Sequence, residues 1–408
     1  MNLNIQPKKL KGSIQVPSSK SLAHRAIICA SLAKGKSTIK NISYSKDIEA
    51  TIQSMQALGA RIQRQGRTCF IEGIQSWNDC TCPCNESGST LRFILPIAAT
   101  QPIHCTLTGK TSLFSRPMSV YASIFQKQNL PFIPSSQSIQ IQGKLHADHF
   151  VIPGNISSQF ISGLLFACPL LDSDSIVEIL PPFESQSYVD LTLDMLKKFN
   201  IHIEKRNEFT YFIPGNQTYI GQEIEIEADF SQMAFFAVLG AIGNRIQIPN
   251  MNVHSFQGDK KILNWLQYDE HMVFQKQELI GQTFDLADCP DLGPILCVLA
   301  AYSKGTSRLI HASRLRYKEC DRIQAMEEEL KKWNVSITSD EDTITIEGKS
   351  SYACDYTVIM NSHNDHRIAM ACCIFGLCAD SPSILEDSEV IDKSYPEFYN
   401  DINSLEEM

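Results

Sequence analysis

Cationic side chains recur along the chain at positions suited to binding phosphate and carboxylate groups. Lys20 and Arg25 lie close together near the N-terminus, and Lys318 and Arg322 flank Glu319 farther on. Four more cations complete the set: Arg92, Arg116, Arg367 and Lys393. Arginine offers a planar fork of N–H donors, lysine offers a mobile point charge, and a carboxylate held among cations can act as a general base. Together these residues favour a pair of substrates that carry phosphates and carboxylates. Each short charged segment alone also fits a solvated helix start with salt bridges.

The composition argues against several classes of function. The chain has 408 residues and a formal net charge of -9, which disfavours non-specific binding to nucleic acids or anionic membranes. It contains no Walker-type glycine loop and no dinucleotide fingerprint, so nucleotide-driven phosphoryl transfer and hydride transfer are weakly supported. We find no apolar segment of signal-peptide or membrane-spanning length. We therefore expect a cytoplasmic protein with neither nucleic-acid nor membrane partners.

The stretch from Val16 to Arg25 predicts how the first cations are positioned. A strand ends at Pro17, Ser18 or Ser19 caps a helix, and Lys20 lies in the first helical turn. A helix N-terminus carries unpaired N–H donors and partial positive charge. This helix start is therefore a candidate anion-binding site. The same residues also fit an ordinary capped amphipathic helix.

The same pattern, a β-rich run, a polar patch and an apolar helix, occurs six times along the chain. After the first copy, the polar patches lie at residues 85–92, 155–160, 227–232, 289–293 and 361–367. The second helix of a unit is amphipathic and is predicted over residues 47–58, 187–199 and 319–333. Lys318 and Glu319 would open the last of these helices. Arg116 would precede a helix that starts at Pro117. Six such α+β units could form a solenoid or two domains of three, with their helix starts facing a common space.

Cysteine is abundant, with 14 residues, mostly within apolar runs. Cys80, Cys82 and Cys84 alternate, and Cys105 or His104 could complete a metal site with them. The spacing matches no common zinc pattern, so we expect reduced thiols and no metal.

Several motifs occur in the order found in one known family. They are Ser19-Lys20-Ser21…Arg25, Gly88-Ser89…Arg92, Arg116-Pro117, Ser157-Ser158-Gln159, Asp291, Lys318-Glu319…Arg322, Asn364-Asp365-His366-Arg367 and Lys393…Pro396. Over nearly its whole length the chain resembles the 5-enolpyruvylshikimate-3-phosphate synthases (3-phosphoshikimate 1-carboxyvinyltransferases) of the enolpyruvyl transferase family. The resemblance implies an α/β (α+β) fold of two pseudo-threefold domains hinged by two crossover strands. Each domain has three βαβαββ units in an inside-out α/β barrel. The expected domains are residues 17–227, and residues 1–16 with 228–408.

The same resemblance implies a reaction of the shikimate pathway to chorismate and the aromatic amino acids. The enolpyruvyl group of phosphoenolpyruvate is transferred to the 5-hydroxyl of shikimate 3-phosphate through a tetrahedral intermediate, and phosphate is released. Domain closure would exclude water from the site. The family implies a monomer that acts on these two small molecules without a metal or an organic cofactor.

By similarity, individual residues receive roles. Those expected to bind shikimate 3-phosphate are Lys20, Ser21, Arg25, Ser157, Ser158, Gln159, Ser185, Tyr188, Asp291 and Lys318. Those expected to bind phosphoenolpyruvate are Lys20, Gly88, Arg116, Gln159, Arg322, Arg367 and Lys393. The candidates for proton transfer are Asp291, Glu319, Lys393 and Lys20.

Two positions depart from the family pattern. Glu86 would repel phosphoenolpyruvate unless it turns away or pairs with a cation, and Arg314 stands where the family often has asparagine. Gly88 is kept, so we expect sensitivity to the inhibitor glyphosate. Three alternatives are a UDP-N-acetylglucosamine enolpyruvyl transferase, a non-catalytic repeat protein and an RNA-end-processing relative. The Lys20-Ser21 pair counts against the first alternative, and the charged helix starts count against the second. The acidic net charge counts against the third.

Overall fold

The chain separates into two compact units in the computed structural model, which describes residues 1–408. One unit comprises Ser18–Glu227, and the other comprises Met1–Pro17 with Ala228–Met408. Each has its own apolar core. None of the helices combines the length and apolar character that crossing a membrane requires.

The secondary structure alternates short strands with helices. The strands are β1 (Leu3–Ile5), β2 (Leu10–Ser13), β3 (Lys36–Lys40), β4 (Arg61–Gln65), β5 (Thr68–Glu72), β6 (Cys80–Asn85), β7 (His104–Gly109), β8 (Phe132–Pro134), β9 (Ser138–Gln142), β10 (His149–Pro153), β11 (Ser175–Leu180), β12 (Glu204–Asn207), β13 (Thr210–Ile213), β14 (Glu223–Glu225), β15 (Arg245–Gln247), β16 (Val273–Gln275), β17 (Thr283–Asp285), β18 (Gly305–Ile310), β19 (Ser336–Ser339), β20 (Ile344–Gly348), β21 (Val358–Asn361), β22 (Ser383–Glu386) and β23 (Glu406–Glu407). The α-helices are α1 (Lys20–Leu32), α2 (Lys46–Ala57), α3 (Gly88–Ala98), α4 (Thr111–Phe114), α5 (Ser119–Lys127), α6 (Ser158–Ala167), α7 (Gln186–Lys198), α8 (Phe230–Gly243), α9 (Gly293–Ala301), α10 (Arg322–Lys331), α11 (His366–Cys378) and α12 (Phe398–Ser404). Short 3₁₀ turns cover Cys168–Leu170, Gly258–Asn264, Pro290–Leu292, Ser313–Tyr317 and Ser388–Lys393.

The strands form six small open sheets, three in each unit. In the Ser18–Glu227 unit the strand orders are β14-β3-β5-β4, β6-β7-β9-β8 and β10-β11-β13-β12. In the other unit they are β16-β15-β2-β23, β17-β18-β20-β19 and β1-β22-β21. Parallel pairs such as β6–β7 are linked through a helix, and an antiparallel hairpin such as β8–β9 follows. This is the βαβαββ repeat, so the predicted fold class of six α+β units is confirmed.

The first helix of each repeat is buried on nearly all sides. Every residue of α9 is buried, and so are all residues of α8 up to Ala241. A helix that is apolar all round belongs inside a protein, whereas the sheets keep exposed residues alternating with buried ones. Buried helices covered by half-exposed sheets agree with the inside-out arrangement that the family resemblance implies.

All six predicted helix starts are observed, but three local predictions are wrong. Neither serine caps α1 by its side chain: Ser19 makes no such bond, and the Ser18 hydroxyl instead accepts the backbone N–H of Ser43 at 2.9 Å. Helix α10 begins at Arg322, because the Asp321 carboxylate accepts the backbone N–H groups of Ile323 and Gln324. Lys318 and Glu319 therefore lie in the preceding loop. Helix α5 begins at Ser119 rather than at Pro117.

Candidate active site

Lys20 begins α1 and pairs with an acidic residue that the sequence did not single out. Its Nζ atom donates to Asp47 Oδ2 at 3.0 Å, and both side chains are mostly buried. Asp47 lies in the first turn of α2, whose cap is the Ser45 hydroxyl. The pair fixes the ammonium group beside two helix N-termini.

Arg25 is buried and anchors α1 to α7. Its guanidinium donates to Thr192 Oγ1 at 2.8 Å and to the carbonyl oxygens of Tyr188 and Ser21 at 2.8 and 2.7 Å. Burial lowers its pKa to about 10, so it remains charged at neutral pH. The structure thus brings Arg25, Ser21 and Tyr188 together. No local pattern pointed to Thr192, which lies 167 residues from Arg25 along the chain.

The starts of α3 and α6 meet in a polar cluster. Gln159 Nε2 donates to Ser89 Oγ at 2.9 Å, and Arg92 Nη1 donates to Gln159 Oε1 at 2.8 Å. A Cβ atom at Gly88 would lie 3.1 Å from Arg116 Nη1 and 3.4 Å from Gln159 Oε1. A methyl group here would have to push the Arg116 guanidinium away by a few tenths of an ångström, so glycine lets the arginine approach the backbone closely.

Three serines surround the N-termini of α6 and α7. The Ser157 hydroxyl caps α6 by accepting the N–H of Gln159 at 3.3 Å, and Ser158 is the first residue of that helix. Ser185 precedes α7 and has a φ of +55°, in the left-handed region. Hydroxyl groups beside helix N–H donors suit a phosphate group.

Glu86, the first departure from the family pattern, pairs with a cation. Its Oε1 lies 2.9 Å from Lys110 Nζ. Arg314, the second departure, donates to the carbonyl oxygen of Ala287 at 2.6 Å. It thereby holds the loop that leads to Asp291.

In the other unit, Arg322 is the centre of a network of carboxylates. It is 1% exposed, and its guanidinium donates to Asp365 Oδ2 at 2.7 Å, Glu319 Oε2 at 2.7 Å and Asp291 Oδ1 at 3.1 Å. Burial alone would lower its pKa, but the charges of the three carboxylates raise it well above the usual value. Arg322 therefore orients Glu319 and Asp291 while remaining charged.

Asp291 lies among three cations, in a 3₁₀ turn ahead of α9. Besides Arg322, its carboxylate accepts from Lys318 Nζ at 3.2 Å and Arg367 Nη2 at 3.0 Å. Burial lowers the pKa of Lys318, although Asp291 opposes the shift. The predicted residues Asp291, Lys318, Glu319, Arg322 and Arg367 are all in one network.

Another predicted cation of this unit, Lys393, contacts the residue that precedes the cap of α11. Lys393 Nζ donates to the carbonyl and side-chain oxygens of Asn364 at 2.7 and 3.1 Å. Asp365 follows Asn364 and caps α11 by accepting the N–H of Arg367 at 2.8 Å.

Asp259, which was not predicted from the sequence, is buried and accepts a hydrogen bond from the Ser231 hydroxyl at the start of α8. Burial and then the charge of Asp291 raise the pKa of Asp259 to about 7.

Comparison with known proteins gives one consistent family. The family model for EPSP synthase (3-phosphoshikimate 1-carboxyvinyltransferase) matches residues 5–402. Proteins named 3-phosphoshikimate 1-carboxyvinyltransferase from Clostridium novyi and Clostridium acetobutylicum are 41% and 42% identical, with 99% of this chain and 97% of each relative covered. A solved EPSP synthase from Acinetobacter baumannii has a TM-score of 0.78 at 25% identity, covering 98% of this chain and 97% of that one. An enolpyruvyl transferase from Streptomyces tendae, 14% identical, shares the fold with a TM-score of 0.80 over 99% of this chain and 97% of that one.

Proposed function

Because this chain belongs to the EPSP synthase family, we propose that it transfers the enolpyruvyl group of phosphoenolpyruvate to the 5-hydroxyl of shikimate 3-phosphate, releasing phosphate. This is the activity 3-phosphoshikimate 1-carboxyvinyltransferase, EC 2.5.1.19, in the shikimate pathway. The observation that carries the proposal is the Arg322 network, in which Glu319 and Asp291 are oriented carboxylates within a group of cations. Such a group can move a proton while its cations offset the charge of anionic substrates.

The two units are, on this proposal, the two domains of the family. In Ser18–Glu227, the residues that bind shikimate 3-phosphate are Lys20, Ser21, Arg25, Ser157, Ser158, Gln159, Ser185 and Tyr188. The serines at the α6 and α7 starts hold the phosphate. Arg25 uses the N–H groups that it does not give to Thr192, Tyr188 and Ser21. Phosphoenolpyruvate can contact three neighbouring residues at once: Gly88, Gln159 and Arg116. We also assign Lys20 to its binding.

In the other unit, Asp291 and Lys318 bind shikimate 3-phosphate, while Arg367, Arg322 and Lys393 bind phosphoenolpyruvate. Arg322 already makes three carboxylate contacts, so its main role is to position Glu319 and Asp291. Arg367, which contacts Asp291, and Lys393, which contacts Asn364, are the other two cations of this unit that we assign to anion binding.

The proposed reaction is addition followed by elimination. A proton is added to the methylene carbon of phosphoenolpyruvate, and the 5-hydroxyl, which gives its proton to a carboxylate, adds to the neighbouring carbon. The tetrahedral intermediate then loses phosphate and a methyl proton to form the enol ether. We assign the proton transfers to Asp291, Glu319, Lys393 and Lys20. Holding two anions together against their repulsion is a large part of the catalytic task.

Phosphate release from phosphoenolpyruvate with shikimate 3-phosphate tests this assignment. We expect Glu319→Gln and Lys20→Ala to fold normally and to lose about 10²–10⁴-fold in turnover, the usual contribution of a general acid or base. Glu341→Gln and Lys34→Ala are the matched controls, because both side chains are exposed. No phosphate release by the wild type would refute the function, and release only with UDP-N-acetylglucosamine would favour the sister activity. Near-wild-type rates in the first two variants would remove those residues from the mechanism.

A further inference from the structure

Three cysteine thiols converge on one face of the sheet β6-β7-β9-β8. Strands β6 and β7 are parallel neighbours in which Cys80 lies opposite Cys105, and Cys82 follows Cys80 on the same face. The sulfur–sulfur distances are 3.8 Å for Cys80–Cys82, 3.8 Å for Cys80–Cys105 and 3.7 Å for Cys82–Cys105. Cys82 and Cys105 are buried, whereas Cys80 is partly exposed. The three sulfurs form a nearly equilateral triangle with one corner towards solvent.

The other two residues considered from sequence lie outside this triangle. The register of β6 on β7 shifts between Pro83 and Asn85, and a strand irregularity of this kind re-aims the side chain within it, here Cys84. The Cys84 thiol contacts the carbonyl oxygen of Cys82 instead. His104 precedes Cys105 on β7, so alternation directs it to the opposite face, where it is exposed. The cluster therefore consists of Cys80, Cys82 and Cys105.

The spacing of the three sulfurs matches the requirements of a metal ion. The centre of the triangle lies about 2.2 Å from each sulfur, close to the zinc–thiolate bond length of ~2.3 Å. An ion at the longer distance lies slightly out of the plane of the sulfurs, as tetrahedral coordination demands. Thiolates also select soft and borderline ions such as zinc over magnesium or calcium.

We propose that Cys80, Cys82 and Cys105 form a site for one thiophilic metal ion, with zinc as the ion that best fits the geometry. Each thiol releases its proton to solvent as its sulfur–metal bond forms, and water on the exposed side of Cys80 completes the coordination. This proposal replaces the expectation from sequence of reduced thiols without a metal. The spacing matched no common zinc pattern because the third ligand comes from the neighbouring strand, 23 residues beyond Cys82. The ion would tie β6 to β7.

The site is separate from the residues proposed to bind substrate, although it lies on the strand that leads to them. β6 ends at Asn85, and the chain then passes through the Ser87 cap into α3 at Gly88. A bound ion should raise the unfolding temperature of the protein, because a ligand that binds only the folded state stabilises it. The metal-free enzyme should retain transfer activity, so this proposal and the proposed function can fail independently.

Cobalt(II) and zinc(II) titrations of the reduced, metal-free full chain test the site. We expect one equivalent of cobalt to produce a thiolate-to-cobalt charge-transfer band, which zinc then displaces. Cys80→Ser should lose this band, and its partly exposed position makes the change tolerable to the fold. Cys84→Ser is the matched control on the same strand and should keep the band.

X-ray absorption of the zinc-loaded wild type gives a readout that needs no variant. Three sulfur neighbours of zinc are expected. A zinc environment of only nitrogen and oxygen would overturn the proposal and would point to the other close group of possible ligands, Glu328, Glu329 and His363. Absence of stoichiometric binding, or equal loss of the cobalt band in Cys84→Ser and Cys80→Ser, would also overturn it.

Discussion

Replacing Asp365 by asparagine should destabilise the unit that contains it far more than its capping role would suggest. Asp365 is fully buried, caps α11 through the N–H of Arg367, and accepts from Arg322 Nε at 2.7 Å. Asparagine caps a helix about as well as aspartate, so the capping bond is retained. What Asp365→Asn removes is the buried negative charge beside Arg322.

The expected magnitude follows from the partners that Arg322 keeps. Removing one member of a buried ion pair costs about 3–5 kcal/mol, because the other charge is left buried without compensation. Arg322 retains Asp291 and Glu319, whose side chains are 19% and 18% exposed, so we expect the lower end, about 3 kcal/mol. With a urea slope of about 1–3 kcal/mol per molar, the unfolding midpoint should fall by about 1–3 M.

Urea unfolding followed by tryptophan fluorescence measures this effect. Trp265 and Trp333 both belong to the unit that contains Asp365, while Trp77 belongs to the other. Asp321→Asn is the matched control, because Asp321 caps α10 in the same way but pairs with Arg316 near the surface. An ion pair near the surface contributes about 0.2–1 kcal/mol, so the control should change little. Equal midpoints for the two variants would refute the assignment of a buried charge network to Arg322.

Two further predictions concern the candidate site. Gly88→Ala places a methyl group 3.1 Å from Arg116 Nη1. The KM for phosphoenolpyruvate should therefore rise by about 10-fold or more, while the KM for shikimate 3-phosphate stays constant. Equal changes in the two KM values would contradict this prediction. The pKa of Asp259 is about 7 in the folded chain, above the ~3.9 of an unfolded aspartate. Between about pH 4 and 7 the folded chain therefore binds more protons than the unfolded chain. The free energy of unfolding should consequently fall as the pH rises through this range. Asp259→Asn should flatten this decline in urea midpoints measured from about pH 4 to 8, and an unchanged slope would show that Asp259 is not its source.

Several helix starts were predictable because neighbouring residues encode them. Ser87, Ser157 and Asp365 accept N–H groups two or three residues ahead, and a long apolar run follows each of them. Local signals can also mislead when two compete. The charged Lys318–Glu319 pair resembled a helix start, but Asp321 supplies the actual cap, so α10 begins later.

Partners distant along the chain could not be read from local pattern. Thr192 meets Arg25 across 167 residues, and Cys105 joins Cys80 because their strands pair in that particular register. Asp259 carried no signal because its raised pKa arises from burial and from the charge of Asp291, which only packing brings about. The register shift at Cys84, likewise, decides which cysteines share a face.

By itself, the sequence determined the repeat, the six helix starts, the family and the identity of the cations and carboxylates available for chemistry. Those features depend on residue type and short spacing, which capping and burial translate directly into local structure. Only the tertiary structure decided that Arg322 holds three carboxylates, that Glu86 pairs with Lys110 and that three cysteines form a triangle. These arrangements depend on strand register and helix packing, which set the distances between residues far apart in sequence.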